Sequence, residues 1–181
     1  IEEKPTGEIS AAAGTGTSGS TFGFGIKENN FLGKNISLDS NLRFDDETIK
    51  GKFSVINPNW NFSDRSLTTS IESSVTDKMG DFGYETSLTG FSLGSGWEQY
   101  EDLYFTPRIS VFHEKLDTNQ NASNKLKKQE GSYFDTDFAY GLLLDKRDRR
   151  YQTTDGYLSK FNQRVPIVSE DYGLYNSYEF T

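Results

Sequence analysis

The sequence predicts an all-β protein, an antiparallel up-and-down transmembrane barrel, and three observations carry that prediction. Side chains alternate at period two in about ten stretches. One parity of each stretch is greasy while the other is polar or charged. No stretch keeps apolar residues at i, i+3, i+4 and i+7 beyond a turn or two, so helix signals are missing.

Composition sharpens the case. The 181 residues are only 33% apolar with a mean hydropathy of -0.70, whereas a soluble domain of this size is close to half apolar. The 14% aromatic content and the four prolines argue against disorder. A barrel in lipid resolves the conflict, because the bilayer covers the apolar face and no second protein layer is needed.

The clearest strand is "FDTDFAYGLLLDKRDRR", residues 134 to 150. Phe134, Thr136, Phe138, Tyr140, Leu142 and Leu144 share one parity, and Asp135, Asp137, Ala139, Gly141, Leu143 and Asp145 the other. In "ISLDSNLRFD", Ile36, Leu38, Leu42 and Phe44 alternate with Ser37, Asp39, Asn41 and Arg43. In "TIKGKFSV", Ile49, Phe53 and Val55 oppose Lys50, Lys52 and Ser54. In "LYFTPRISVFHEK", Phe105, Pro107, Ile109 and Val111 oppose Thr106, Arg108, Ser110, Phe112 and Glu114. Further strands are expected over Ser20 to Lys27, Ser66 to Val75, Tyr84 to Leu93, Gly156 to Val165, and from Tyr172 onward.

The spacers fall into two alternating sets. "ENNFLGKN" from Glu28, "NPNWNFSD" from Asn57, "GSGWEQYED" from Gly94 and "DKRDRRYQTTDG" from Asp145 read as compact turns. "TSG" at Thr17, "DDE" at Asp45, "TDKMGDFG" at Thr76, "TNQNASNKLKKQEG" at Thr118 and "IVSEDYG" at Ile167 vary in length and are polar. In a meander, alternate connections share an end, so one end is expected to be trimmed and the other elaborated. Phe31, Trp60, Trp97, Tyr100, Tyr104, Tyr151 and Tyr157 sit near strand ends, as interfacial girdles require. A soluble antiparallel sandwich also alternates, and the period alone leaves it open.

Several classes drop out. A net charge of -8 speaks against nucleic acid as a partner, and the absence of cysteine removes disulfides and thiolate metal sites. No run of 18 apolar residues offers a membrane-spanning helix. The opening "IEEKPTGE" lacks the basic and then apolar pattern of a signal peptide, so the chain is expected to begin inside a longer protein.

Four motifs in order carry a resemblance: "EEKPTG", with Glu2, Thr6 and Gly7 matching E-x-x-x-TG; "NFLGKN" from Asn30, matching N-x-LG-x-G except at Asn35; "VINPNW" from Val55; and "DKRDRRYQTTDG", with Thr153 where a proline is usual. Together they resemble the start of the barrel in the BamA family of outer-membrane protein assembly factors. The resemblance implies that residues 1–7 are an exit linker from a periplasmic POTRA domain and that residues 8–181 are the N-terminal strands of a sixteen-stranded barrel. It also implies that POTRA domains, the remaining strands and a "VRGF" loop motif lie outside this sequence.

The first strand is the candidate site. Ile9, Ala11, Ala13 and Thr15 form its weakly apolar parity, and Glu8, Ser10, Ala12 and Gly14 the other. Such small side chains pack poorly and fix register weakly. The resemblance implies that this edge is a lateral gate whose backbone pairs with a strand of an unfolded outer-membrane client. It further implies accessory outer-membrane lipoproteins as partners, with no enzyme activity, cofactor or metal. A TamA-like or two-partner secretion translocator, a passive porin and a soluble binding module are the alternatives.

Other features weigh less. "GTGTSG" from Gly14 fits G-x-G-x-x-G, but the following "STFGFGIK" reads as a strand, so no dinucleotide site is expected. His113 is the single histidine, and no G-x-S-x-G elbow exists. Asp135 with Asp137 and Asp145 with Asp148 read as a solvated lumen and a turn network rather than a catalytic or cation pair. Lys125, Lys127 and Lys128 in the longest outer loop read as a solvated loop or a contact to lipopolysaccharide phosphates.

Overall fold

A computed structural model describes residues 6–16, 19–169 and 173–181. The strands are β1 (Gly7–Gly16), β2 (Gly19–Phe31), β3 (Ile36–Phe44), β4 (Thr48–Asn57), β5 (Ser66–Lys78), β6 (Tyr84–Tyr100), β7 (Leu103–Thr118), β8 (Gly131–Asp145), β9 (Leu158–Val168) and β10 (Tyr175–Phe180). They form one 10-stranded antiparallel sheet in which every strand neighbours its successor in sequence.

The register decides what each face carries. One row runs Ile9, Ile26, Ser40, Phe53, Ile71, Phe91, Val111 and Thr136 from β1 to β8. The adjacent row, on the opposite face, runs Ser10, Gly25, Asn41, Lys52, Glu72, Gly90, Phe112 and Asp135. The alternation read from the sequence therefore stays in phase across eight strands.

Burial shows which face curls inward. On the polar face Gly25, Gly90, Gly94, Leu116, Asp137 and Gly141 are buried, whereas on the apolar face Phe24 is 52% exposed, Ile71 51% and Phe134 56%. The polar face is the concave, luminal one. No second layer covers the apolar face: among the described residues the buried hydrophobic side chains are Leu116 and Ala122 alone. That removes the sandwich, which must bury its greasy face against another sheet, and leaves lipid as the fitting medium.

Several boundaries differ from the sequence expectation: β2 continues through Glu28–Phe31, read from the sequence as the start of a turn, and β5 runs on to Lys78. β6 runs straight through Gly94, Gly96 and Trp97 to Tyr100, where a turn was expected, and the turn itself is only Glu101 and Asp102, the latter at φ 63°. Gly94 and Gly96 read as breakers but are luminal strand positions: a Cβ at Gly96 would lie 2.9 Å from Ser66 Oγ. β9 continues through Ile167 and Val168, with a bulge that pairs Asp137 with Pro166 and Thr136 with Val168. The loop 119–130 contains a short helix, α1 (Asn124–Lys128), whose N-cap Ser123 accepts from Leu126 N at 3.3 Å.

The expected length difference between the two ends is not met, because the connection 146–157 at one end matches 119–130 at the other. Both sets are tied by side chain to backbone bonds: in the first, Asn30 Oδ1 accepts from Asn35 N at 2.7 Å and Asn59 Oδ1 from Asp64 N at 3.1 Å; in the second, Asp45 Oδ1 accepts from Thr48 N at 2.8 Å and Asn119 Oδ1 from Asn121 N at 2.8 Å. Asn35, where the motif usually has glycine, sits at φ 56°, a conformation asparagine tolerates better than most residues.

Candidate functional site: the β1 edge and the luminal wall

β1 is made of residues that give it little to hold on to. It pairs with β2 from Gly7 opposite Glu28 to Gly16 opposite Gly19, and among the described residues no strand pairs with its other side. Every described side chain in it is exposed, Ile9 at 82%. A side-chain hydrogen bond to β2, Ser10 Oγ to Gly25 O, is long at 3.5 Å. Glu8, Ser10, Ala12 and Gly14 fall on the luminal parity, and Ile9, Ala11, Ala13 and Thr15 on the apolar one, as the sequence predicts. The exit-linker residues 1–5, and Thr17 and Ser18, lie outside the described residues; Thr6 O accepts from Asn29 N at 3.2 Å, beside β2.

The opposite extreme is the connection 146–157. Asp148 accepts from Thr154 N at 3.0 Å, Thr154 Oγ1 at 2.5 Å and Asp155 N at 3.1 Å, while its own N–H donates to Asp155 O at 3.0 Å. These bonds, with that of the Thr154 hydroxyl foremost, hold the Asp148 carboxyl below the usual carboxylate range. Gly156 stands at φ 95°, and a Cβ there would lie 2.1 Å from Lys146 O. The T-D-G run is thus structural: a hydroxyl, an amide and a missing side chain close the turn. Lys146 Nζ donates to Asp102 at 2.7 Å, which raises the lysine above its ordinary value and links this connection to the β6–β7 turn. Arg147 grips Asp145 through two bonds of 2.7 and 2.8 Å. Asp145 and Asp148 therefore belong to a turn network.

Asp135 and Asp137 separate. Asp135 is half-buried on the luminal face, but Asp137 is only 3% exposed and pairs with Arg164 at 2.8 Å, leaving its Oδ1 buried without a partner. Sequence reasoning missed this pair because Arg164 stands opposite Ala139, diagonal to Asp137 across the β8–β9 ladder, a placement that only the strand register reveals. Among the described residues no group of three or more His, Cys, Asp or Glu is placed to hold a metal.

The remaining candidates fall where they have little chemistry to do. His113 is exposed on β7 with its Nε2 2.7 Å from Ser132 Oγ. Gly14 and Gly16 lie in β1 and Gly19 opens β2, so no helix follows the glycine pattern. Lys125, Lys127 and Lys128 lie on α1, where Lys127 Nζ donates to Gln120 O at 2.8 Å.

An open sheet with a small-residue leading edge, a wet concave face and a greasy convex one invites comparison with known barrels. The family model described as the Omp85 superfamily domain matches residues 30–180. The chain belongs to the Omp85 superfamily. That family is one of outer-membrane barrels that insert or translocate protein. Among solved structures, this Omp85 domain is similar to the crystal structure of BamA from Haemophilus ducreyi lacking POTRA domains 1–3, with a TM-score of 0.66 and 22% identity. The match covers 92% of this chain and 35% of that one, so the chain spans about a third of the length of that relative. At that identity the likeness establishes the fold: the ten strands correspond to part of a BamA-like barrel wall.

Proposed function

We propose that this Omp85 domain is the leading part of the barrel of an outer-membrane insertase, and that β1 is the moving edge of its lateral gate. Glu8, Ile9, Ser10, Ala11, Ala12, Ala13, Gly14 and Thr15 would present their backbone groups to the edge strand of a client barrel. The observation that carries the reading is the combination found in β1: a full span of ten residues, no side chain larger than threonine from Ser10 onward, and, among the described residues, a single strand partner. Ten residues suffice to cross the hydrocarbon core. An unpaired backbone group in lipid costs several kcal/mol, so an exposed edge there gains strongly from a new strand. No nucleophile or cofactor enters such a reaction.

Cysteine at Ala11 or Ala13 in the full-length protein should cross-link to the terminal strand of a stalled client barrel. Cross-links confined to positions in the 119–130 connection would sink the gate assignment. The lysines of α1 fit a secondary role as contacts to lipopolysaccharide phosphates, which vesicles with and without lipopolysaccharide would test through protection of Lys125 and Lys128 from amine acylation.

A further inference from the structure

The luminal side of β1 to β4 holds a feature that strand pairing does not explain. Arg43 and Lys50 are direct cross-strand partners on the luminal face, and neither enters an ion pair among the described residues. Like charges placed directly opposite destabilise a sheet. Lys52, one luminal step away, reaches Glu72 only at 4.0 Å. Farther along the luminal face Asp137 and Arg164 do form an ion pair, at 2.8 Å.

The cations border a hollow of about 630 Å³. Its floor consists of Ser10, Ala12, Gly14, Gly23 and Gly25, so the space exists because β1 and β2 withhold side chains from it. The register makes the arrangement linear: Ala12 faces Gly23, Gly23 faces Arg43, and Arg43 faces Lys50. Arg43 therefore stands two strands in from the β1 edge, about 10 Å, with no side chain larger than a methyl group between.

We propose that this hollow is a carboxylate site, occupied by an Asp or Glu side chain of a polypeptide strand lying against β1. Charge complementarity selects the occupant: two unmatched cations at one end of a trough need an anion, and the trough leads to the edge where a strand would add. A Glu or Asp on the luminal parity of that strand, in register with Ala12, projects along Ala12 and Gly23 toward Arg43 and Lys50. The inference rests on the gate reading and deepens it, because it adds a sequence requirement to a reaction that backbone pairing alone leaves nearly sequence-blind.

The test uses the full-length protein in detergent micelles and two fluorescent ten-residue strand-forming peptides, identical except for Glu or Gln at every luminal-parity position. The Glu peptide should bind at least about tenfold tighter by anisotropy. R43Q/K50Q should abolish that preference, the charge-preserving swap R43K/K50R should retain it, and K160Q on the luminal face of β9 should leave it unchanged. Equal binding of the two peptides to the unaltered protein, or a preference surviving R43Q/K50Q, overturns the site. Loss of the preference in low millimolar inorganic phosphate at constant ionic strength would show a small-anion site and also overturn it. Gate cross-linking from Ala11, run in parallel, separates the two readings: cross-links without a Glu preference remove the carboxylate site alone, and absent cross-links remove the gate.

Discussion

β1 and the β6–β9 wall are built from the same ladder yet differ in what surrounds it. In β1 a ten-residue strand of Gly, Ala, Ser and Thr, with Glu8 and Ile9 its two larger side chains, meets a neighbour that carries Gly23 and Gly25. In the wall, strands of 17, 16 and 15 residues carry a continuous aromatic seam on the lipid face: Trp97 meets Phe105 at 5.2 Å, Phe105 meets Tyr140 at 6.0 Å, and Tyr140 meets Phe161 at 6.1 Å. Cross-strand pairs are the unit of sheet stabilisation. Hydrogen bonds alone thus hold the edge, while side chains rivet the wall. The edge has little beyond its ladder to oppose separation, whereas the wall has both ladder and side-chain contacts.

The largest effect should come from breaching the wall's contact with lipid. Phe138→Lys, on the apolar face of β8, should destabilise the folded state in bilayers by about 2–4 kcal/mol, read by urea titration. Ser110→Lys on the luminal face of β7 should change it by less than about 0.5 kcal/mol. Equal losses would mean that the faces are misassigned.

The fastening between β8 and β9 comes next. Gly156→Ala forces a Cβ against Lys146 O at φ 95°, and should cost about 1–3 kcal/mol in the same titration. A neutral result would show that the turn has another way to close.

At the edge the expected sign reverses. Ala13→Val, opposite Phe22 on the lipid face, adds an aromatic and β-branched pair worth about 0.2–1 kcal/mol. Amide exchange in β1 should slow by up to about fivefold, and client assembly should slow with it. Unchanged exchange would mean that side-chain packing does not limit opening.

The smallest effect is a pH dependence confined to the connection 146–157. Because the folded Asp148 carboxyl lies below its ordinary value, its contribution is complete at neutral pH and disappears only as pH falls through that lowered value. Amide exchange at Thr154 and Asp155, corrected for its intrinsic pH dependence, should stay flat down to the ordinary carboxylate range and rise below it. Asp148→Ala should show the rise at every pH.

The alternation made both the sheet and its inside legible: Ile109 and Ser110 announce opposite faces without any tertiary information. The opposite faces of Ala11 and Ala12 followed in the same way. What stayed hidden depends on pairing at a distance. Gly90, inside an expected strand, carries no sign in the sequence that it makes room for Phe112 across the ladder, where a Cβ would lie 2.6 Å from the ring. Arg43 and Lys50 look like two solvated charges until the register sets them face to face. α1 is too short for a periodicity of its own, and only its Ser123 cap signals it.

The strand order, in which each described strand is hydrogen-bonded only to those before and after it in the chain, makes this stretch of sheet close to a one-dimensional object. A disturbance at one rung reaches another chiefly through the rungs between. Substitutions two or more strands apart should therefore add in free energy, and lineages can lengthen or trim one hairpin without renegotiating the rest.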